Sequence, residues 1–278
     1  MDAKPNENFI DCTLDGGGHT ALILERIAPR GKVLGIDRDS QILKRLESNF
    51  KDRRLIPVCG NFADLKAIVQ KKRFGSVKGI LFDLGVSSWH LEKSGRGFTF
   101  KRNEPLDMRY DVRQPLTAEK ILNYWSRFQI EKILSGYGEE KRARSLARMI
   151  IEARKAKPVK STFQLRGIAR RAQADCQKVF QALRIAVNDE LNNLEKALPQ
   201  AVEILTKGGR LVVISFHSLE DRLVKNYFNC LYSQKAGEGP PLIKILTKKP
   251  VRPSETEIRK NPRSRSAKLR AICKLGKN

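Results

Sequence analysis

The chain has 278 residues, 40% of them hydrophobic, so it can bury one sizeable core or a core with an inserted subdomain. Lysine and arginine total 55 against 30 aspartates and glutamates, which gives a formal net charge of +25. An enzyme that handles only small acidic substrates rarely needs this excess, so the composition favours a polyanionic partner over a basic surface that is merely solvated.

Cysteine spacing and hydropathy exclude further classes of protein. The five cysteines are scattered and show no C-x-x-C spacing, which argues against a disulfide framework or a zinc site and fits a reducing compartment. The sequence has no apolar run long enough to span a membrane and no signal-peptide pattern. We therefore expect a soluble, cytoplasmic protein without a metal site or a membrane partner.

The first predicted strand and helix, Phe9–Asp11 and Thr20–Ile27, flank a glycine-rich turn at Gly16–Gly18. Glycines at a helix start let backbone N–H groups approach a ligand closely. The next predicted strand, Lys32–Asp37, ends in an acid 21 positions after Gly16. This pairing is typical of βαβ units in which a carboxylate binds ribose hydroxyls, so it predicts a cofactor that carries a nucleoside.

The spacing of the glycines bears on which cofactor this is. They are consecutive and do not follow the G-x-G-x-x-G pattern, which counts against a dinucleotide. S-adenosylmethionine offers a ribose to an acid but has no pyrophosphate, so it fits this turn better than NAD does. An NAD-dependent oxidoreductase remains the alternative enzyme class.

Strands and helices continue to alternate up to residue 86. We predict strands over Leu55–Cys59 and Val77–Asp83 and helices over Ser40–Phe50 and Asp64–Gln70. Short apolar strands that alternate with helices indicate an α/β fold with a mostly parallel sheet covered on both faces. Ligands of such sheets bind beyond the carboxyl ends of the strands. Polar or aromatic groups follow four of these ends, at Gly16–His19, Asp37, Asn61-Phe62 and Asp83.

Three motifs carry a resemblance to a known family. Gly17-Gly-His-Thr20, Gly35-Ile-Asp-Arg-Asp39 and Asp83-Leu-Gly-Val-Ser-Ser88 resemble the RsmH (MraW) family, and the likeness covers nearly the whole chain. The resemblance implies a Rossmann-like class I methyltransferase. It also implies transfer of a methyl group from S-adenosylmethionine to N4 of a cytidine in small-subunit ribosomal RNA.

The resemblance also implies roles for individual residues. It assigns cofactor binding to Gly17, Gly18, His19, Asp37, Phe62, Asp83 and His90. We assign catalytic or substrate-pocket roles to Asp83, Ser87 and His217. An ordinary core position is the alternative for Phe62, and a structural role is the alternative for His217.

Asp83 has a chemical reason to be catalytic. The lone pair of cytosine N4 is delocalised into the ring, so this amine is a poor nucleophile. An acceptor for its N–H, such as Asp83 or a backbone carbonyl of the following loop, raises electron density on nitrogen and orients it toward the methyl group.

The chain departs from the family pattern in several places. The family usually has a further segment before the first strand, so the sequence is either a fragment or a short version, and we assign no pocket wall to that segment. Asp15 stands where the family has glycine, and we expect its side chain to cap the following helix. His90 stands where the family has a glutamine that contacts the cofactor, so a pH dependence becomes possible.

Two regions with arginines follow. The long loop from Gly95 to Asp111 matches the family signature, and its Arg96 and Arg109 are candidates either for RNA phosphate contact or for locking the loop. Residues 112–175 then interrupt the alternation and predict an inserted helical, substrate-recognising subdomain in a methyltransferase domain formed by residues 1–111 and 176–278.

The third helix of the insert, predicted over Glu139–Lys157, has one apolar face and a basic stripe away from it. The apolar face consists of Leu146, Met149, Ile150 and Ala153, and the stripe of Lys141, Arg144, Arg148 and Lys155. A solvated helix face is the plain interpretation of such a stripe. The net charge favours RNA contact, which we predict for Arg144 and Arg148.

The last third of the chain returns to the sheet. We predict a long helix over Val179–Leu205 that Pro199 kinks or divides, with Arg184 or Asn188 facing the pocket. A fifth strand within Gly208–His217 follows, and strands over Leu242–Thr247 and Ala267–Leu275 form an antiparallel terminal hairpin. The segment from Lys244 to Asn278 is strongly basic and predicts a surface for phosphates.

The expected partner is therefore small-subunit ribosomal RNA or the assembled small ribosomal subunit, and a homodimer is possible. A non-catalytic RNA-binding assembly factor with a vestigial Rossmann fold is the second alternative. The polar groups at four strand ends argue against it.

Overall fold

A seven-stranded sheet is the framework of the protein. The computed structural model describes residues 1–233 and 242–276. The strands are β1 (Asn8–Asp11), β2 (Val33–Asp37), β3 (Leu55–Cys59), β4 (Val77–Asp83), β5 (Leu205–Ser215), β6 (Ile243–Ile245) and β7 (Lys268–Lys274). They lie in the order β3-β2-β1-β4-β5-β7-β6. The strands β1 to β5 pair in parallel, and β7 is antiparallel to both of its neighbours.

Helices connect these strands. In chain order they are α1 (Gly18–Arg26), α2 (Ser40–Asn49), α3 (Leu65–Lys71), α4 (Ser88–Glu92), α5 (Ala118–Tyr124), α6 (Arg127–Gly136), α7 (Ala143–Ala156), α8 (Thr162–Arg171), α9 (Cys176–Asn188), α10 (Glu190–Ile204), α11 (Ser218–Ser233) and α12 (Glu255–Lys260). Short 3₁₀ helices lie at Phe62–Asp64 and Pro262–Ser266. Among the described residues, none of the helices combines the length and the apolar character needed to cross a bilayer.

The chain divides into two compact units. The first comprises Met1–Gly85 and the described part of Leu191–Asn278, and the second comprises Val86–Glu190. The predicted insert, residues 112–175, lies within the second unit, which extends beyond it on both sides.

The first unit packs helices on both faces of its sheet, because successive strand residues point to opposite sides. Ile10 and Phe82 belong to a cluster that includes α10 and α11, whereas Phe9 and Leu81 belong to a second cluster that includes α1 and α2. The predicted α/β fold with a mostly parallel sheet is confirmed. The terminal strands do pair antiparallel as predicted, and β7 also inserts between β5 and β6.

The second unit is helical and has its own core. The predicted apolar face of α7 is turned inward, with Leu146 and Ile150 fully buried among side chains of α5, α6, α8 and α9. The helix begins at Ala143 and not at Glu139, because Glu139 has a left-handed φ of 47°. The buried carboxylate of Glu140 holds this turn by accepting from the N–H groups of Arg142, at 2.8 Å, and Asp175, at 2.9 Å.

The predicted long helix over Val179–Leu205 is two helices, and the division is not at Pro199. The helix α9 ends at Asn188, and Asp189 has a left-handed φ of 52°, a conformation that stops a right-handed helix. Pro199 lies inside α10 without ending it.

Candidate active site

Three neighbouring strands end in aspartates at the same edge of the sheet. These are Asp11 of β1, Asp37 of β2 and Asp83 of β4. The strand β1 lies between the other two. The chain runs from β1 to β2 and β3 on one side of it and then crosses to β4 on the other side. In open parallel sheets this change of direction opens a crevice that binds ligands.

The two carboxylate oxygens of Asp83 differ in their partners. Its Oδ2 lies 3.3 Å from Nε2 of His19, and its backbone N–H donates to Oγ1 of Thr13 at 2.7 Å. Its Oδ1 is buried and accepts no hydrogen bond from the residues that the structure describes. A buried carboxylate oxygen without a donor is costly, so this atom suits a ligand that brings an N–H or O–H group.

Asp11 binds the turn that follows β1. Its carboxylate accepts from Oγ1 of Thr20 at 2.7 Å and from the N–H of Thr13 at 3.2 Å. Burial raises the pKa of Asp11 to about 6, although both hydrogen bonds oppose this shift. The hydrogen bond to Asp83 raises the pKa of His19 above its ordinary value. One imidazole is thus close to two carboxylates, and its protonation is favoured.

The glycine turn brings backbone to the crevice. Gly17 precedes α1 with a left-handed φ of 77°, a backbone conformation that residues with a Cβ rarely adopt, so a larger residue would be strained there. The expectation that Asp15 caps α1 is wrong, because the residue at the helix start is Gly17 and no side-chain cap bond is present there. Asp15 has a φ of 43°, and its N–H instead donates to Oδ2 of Asp37 at 2.9 Å.

Asp37 has the features that a ribose site needs. Its Oδ1 accepts from the N–H of Asp39 at 2.8 Å, and its Oδ2 from Asp15. These two bonds fix the carboxylate, yet a carboxylate has about four acceptor positions, so two remain for ribose hydroxyls. Burial raises the pKa of Asp37 to about 7. The residues at the ends of β1, β2 and β4 therefore fit S-adenosylmethionine.

Phe62 packs against the core, and its contact with adenine stays a prediction. It begins the 3₁₀ helix after β3 and is half-buried, and its ring meets Phe82 edge-on at a centroid distance of 5.4 Å. The neighbouring Asn61 accepts from the N–H of Ala63 at 3.0 Å and caps this helix. Phe62 is thus packed against the core and still accessible in part, as a ring that contacts adenine has to be.

His217 follows β5, the strand next to β4 in the sheet. Its Nε2 lies 3.0 Å from Oε1 of Glu220, and the other oxygen of this buried glutamate accepts from the N–H of Phe216 at 2.9 Å. Nδ1 of His217 accepts from the N–H of Glu220 at 3.4 Å, so the imidazole lies against the start of α11. A role of His217 in the substrate pocket stays a prediction.

Ser87 and His90 belong to the second unit. Ser87 caps α4 by accepting from the N–H of His90, and its Oγ lies 2.9 Å from Nδ1 of the same residue. The buried His90 ring also packs against Phe98 and Tyr110, with centroid distances of 4.9 and 5.0 Å, and these two rings stack on each other. Both residues are thus ordered, and their assignments to catalysis and cofactor binding stay predictions.

Arg96 and Arg109 make bonds within the long loop, which favours the loop-locking alternative. Nη1 of the buried Arg96 donates to the carbonyls of Arg109 and Tyr110 at 2.7 and 3.0 Å. Arg109 forms a bidentate pair with Asp107 and donates to the carbonyls of Val112 and Gln114. Their contact with RNA stays a prediction.

The remaining candidates lie on helices of the second unit. Arg144 and Arg148 are exposed on α7. Asn188 is fully buried, accepts from the N–H of Tyr110 at 2.8 Å and donates to the carbonyl of Met108 at 2.7 Å. Arg184 forms a two-bond pair with Glu190.

A comparison with known families agrees with this geometry. A family model described as the MraW methylase family matches residues 1–275. The chain belongs to the MraW methylase family. Its sheet order and its glycine turn are those of the class I methyltransferase fold, which the sequence predicted.

Curated relatives of this MraW methylase match over nearly their whole length. A protein of Carboxydothermus hydrogenoformans named ribosomal RNA small subunit methyltransferase H is 44% identical, over 99% of this chain and 94% of its own. A protein of the same name from Thermomicrobium roseum is 46% identical, over 96% of this chain and 87% of its own.

Solved structures are more distant. An rRNA methylase from Streptococcus thermophilus is 10% identical with a TM-score of 0.45, covering 99% of this chain and 90% of its own. A SAM-dependent O-methyltransferase from Thermotoga maritima is 10% identical with a TM-score of 0.44, covering 100% of this chain and 63% of its own. The strand order establishes the fold without them.

Three residues of the site were missed from sequence. Asp11, Thr13 and Thr20 lie between the end of β1 and the first turn of α1, and together they fix Asp83 and the start of α1. Asp11 carried the same signal as Asp37 and Asp83, an acid at the end of an apolar strand. The two threonines carried none, because their partners are distant in sequence or hidden in the turn.

Proposed function

We propose that this MraW methylase transfers a methyl group to N4 of a cytidine in small-subunit ribosomal RNA. The cofactor is S-adenosylmethionine, which when bound supplies an electrophilic methyl group on a sulfonium sulfur. The observation that supports this substrate most directly is the carboxylate at the end of β4. Oδ1 of Asp83 is buried without a donor in the described structure, and an exocyclic amine supplies the N–H that it lacks.

Each group at the strand ends has a part in this reaction. Asp37 accepts from the ribose hydroxyls, and the backbone around Gly17 and Gly18 approaches the cofactor closely. Phe62 contacts the adenine ring. His19 binds the second oxygen of Asp83, so the carboxylate keeps one orientation while its first oxygen receives the amine.

Asp83 then acts on the nucleophile. Its Oδ1 accepts one N–H of N4, which raises electron density on nitrogen and aligns the lone pair. The new N–C bond forms as the bond between the methyl carbon and sulfur breaks, and one N4 proton leaves afterwards. No strong base is required, because the product amine loses its extra proton readily. We place His217 in the substrate pocket.

The net charge of the chain and the names of its curated relatives support RNA as the substrate. The net charge of +25 fits a polyanion. The curated relatives are named for small-subunit ribosomal RNA, which we take as the substrate here.

The experiment that tests this function measures transfer of a labelled methyl group. The full chain is incubated with methyl-labelled S-adenosylmethionine and bacterial small-subunit RNA, both naked and in assembled subunits. Large-subunit RNA is the matched control. We expect label in the small-subunit RNA in one of its two forms and none in the control. No transfer to either form, or equal labelling of the control, contradicts the proposal.

A further inference from the structure

The helix α8 has an outer face that its own packing does not explain. Its inner face is formed by the buried residues Thr162, Leu165, Ile168 and Ala169. At about 100° per residue, Phe163, Gly167 and Arg170 lie together away from this face, and Arg166 lies at its edge beside them. These four residues are called the α8 platform below.

A ring with one side already stacked is the centre of the platform. Phe163 is 38% exposed, and the guanidinium carbon of Arg166 lies 3.9 Å from the centroid of its ring. Nη1 of Arg166 donates to the carbonyl of Phe100 at 3.1 Å, so the cation is held in place over the ring. A cation on one side of a phenyl ring stabilises it in one orientation and leaves the rest of its surface for another partner.

Gly167 keeps that remaining surface open. Glycine in a helix interior is destabilising relative to alanine, so it calls for a reason. Packing is not the reason, because a Cβ at this position would meet nothing within 4 Å in the described structure. A side chain four positions after Phe163 would lean back toward the N-terminus, over the ring. The glycine therefore leaves the ring uncovered.

The platform is also rigid. Ser161 and Gln164 form a reciprocal capping box at the start of α8. Oγ1 of Thr162 donates to the carbonyl of Arg102 at 2.5 Å and accepts from the N–H of Glu104 at 3.0 Å. A binding surface whose backbone is fixed beforehand loses little entropy when it binds.

Charge identifies the partner. Residues 157–174 carry five cations and no acid, the cations being Lys157, Lys160, Arg166, Arg170 and Arg171. An exposed aromatic ring among cations is the arrangement that binds single-stranded nucleic acid, with phosphates on the cations and a base on the ring.

We propose that the α8 platform stacks one unpaired base of single-stranded RNA on Phe163, while Arg170 and its neighbours bind the adjacent phosphates. The inference rests on the proposed function, because an enzyme that methylates a base edge needs that base out of its helix. The platform gives one unpaired base a stacking partner and holds the strand without reading its sequence.

The test uses the full chain and a short single-stranded RNA that carries 2-aminopurine, whose fluorescence falls when it stacks. Phe163→Leu keeps an apolar side chain but removes the aromatic face. We expect RNA affinity to fall about tenfold, the stacking of one base, with the fluorescence quenching lost. Phe163→Trp should keep both. The matched control is Phe128→Leu, which removes a 74% exposed ring from α6 and should change neither.

A second variant avoids any loss of folding. Gly167→Leu raises helix propensity and covers the ring without removing it, so we expect higher thermal stability together with about tenfold weaker RNA binding. If both Phe163→Leu and Gly167→Leu bind the RNA with unchanged affinity and unchanged quenching, the α8 platform does not bind RNA and the proposal is overturned. Methyl transfer by the wild-type chain is measured separately, so failure of the proposed function is distinguishable from failure of the platform.

Discussion

At the scale of single residues, Asp37 carries the cofactor assignment. Asp37→Ala removes charge-assisted bonds to the ribose, together about 3 kcal/mol, so we expect roughly 100-fold weaker binding of S-adenosylhomocysteine in calorimetry. The matched control is Asp64→Ala, an exposed aspartate just beyond Phe62, which should bind as the wild type does. Equal affinity of a folded Asp37→Ala variant would refute the ribose assignment.

The pKa of Asp37 adds a pH dependence to this site. Burial raises this pKa to about 7, so the carboxyl is mostly protonated at pH 6 and mostly ionised at pH 8. The ionised form is the better acceptor for ribose hydroxyls. We therefore expect affinity for S-adenosylhomocysteine to rise about tenfold from pH 6 to pH 8, because the ionised fraction rises by that factor. The rise should be absent in Asp37→Ala, and its persistence there would assign it to another group.

Asp83 carries the chemical step. Asp83→Asn keeps the shape but replaces a charged acceptor by a neutral one, which weakens a hydrogen bond by about half. We expect methyl transfer at saturating cofactor to slow at least about tenfold, a loss of about 1.4 kcal/mol. Single-turnover kinetics with labelled cofactor measure this. Full turnover in the variant would remove Asp83 from the catalytic residues.

Asp37 and Asp83 were predictable from the sequence, but the residues that form hydrogen bonds with them were not. Asp37 and Asp83 each end an apolar strand, a signal that is local. That Asp15 donates to Asp37, and that Thr13 accepts from the N–H of Asp83, depends on folding of the turn, which no local pattern specifies.

At the scale of elements, α7 presents the basic stripe. Arg144 and Arg148 are exposed and one turn apart, so we expect both to bind RNA phosphates. Replacing both by Gln should weaken RNA binding and flatten its logarithmic salt slope by about 1.4, the value for two contacts to a single strand. The control is Lys71→Gln with Lys72→Gln, which removes the same charge at the end of α3. Equal salt slopes of RNA binding in the two double variants would show that the stripe is a solvated surface.

The end of α9 fixes the long loop through Asn188. Asn188→Ala leaves the N–H of Tyr110 and the carbonyl of Met108 without this partner in a buried place, which costs about 1–3 kcal/mol for each. We expect the free energy of unfolding to fall by about 2–6 kcal/mol in urea titration. Asn226→Ala, at an exposed site on α11, should change it by less than about 0.5 kcal/mol. A loss as small as that for Asn188→Ala would contradict the anchoring role.

The elements themselves were largely predictable, and their ends less so. The pattern of apolar residues predicted the ends of the strands and helices in the first 86 residues to within two positions. Each of these strands is a short apolar run, and each helix buries an apolar face. The sequence placed the break in the long helix at Pro199, whereas the structure places it at Asp189, whose left-handed backbone has no equivalent in an apolar pattern. The early start predicted for α7 failed for the same reason at Glu139.

At the scale of the whole molecule, two features meet in one chain. A class I sheet supplies a crevice for the cofactor, and cations far in excess of acids supply attraction for RNA. Charge predicts the class of partner, but neither charge nor fold chooses the atom that is methylated. That choice depends on an acceptor at the crevice, and Oδ1 of Asp83 is the one we assign.

The identity of the methylated nucleoside therefore tests whether the methyl group goes to N4 of cytidine. Small-subunit RNA treated with the full chain and S-adenosylmethionine is digested to nucleosides and analysed by mass spectrometry against synthetic standards. We expect N4-methylcytidine, absent when the cofactor is omitted. Methyl groups found only on a ring carbon, on a ribose oxygen or on another base would contradict it.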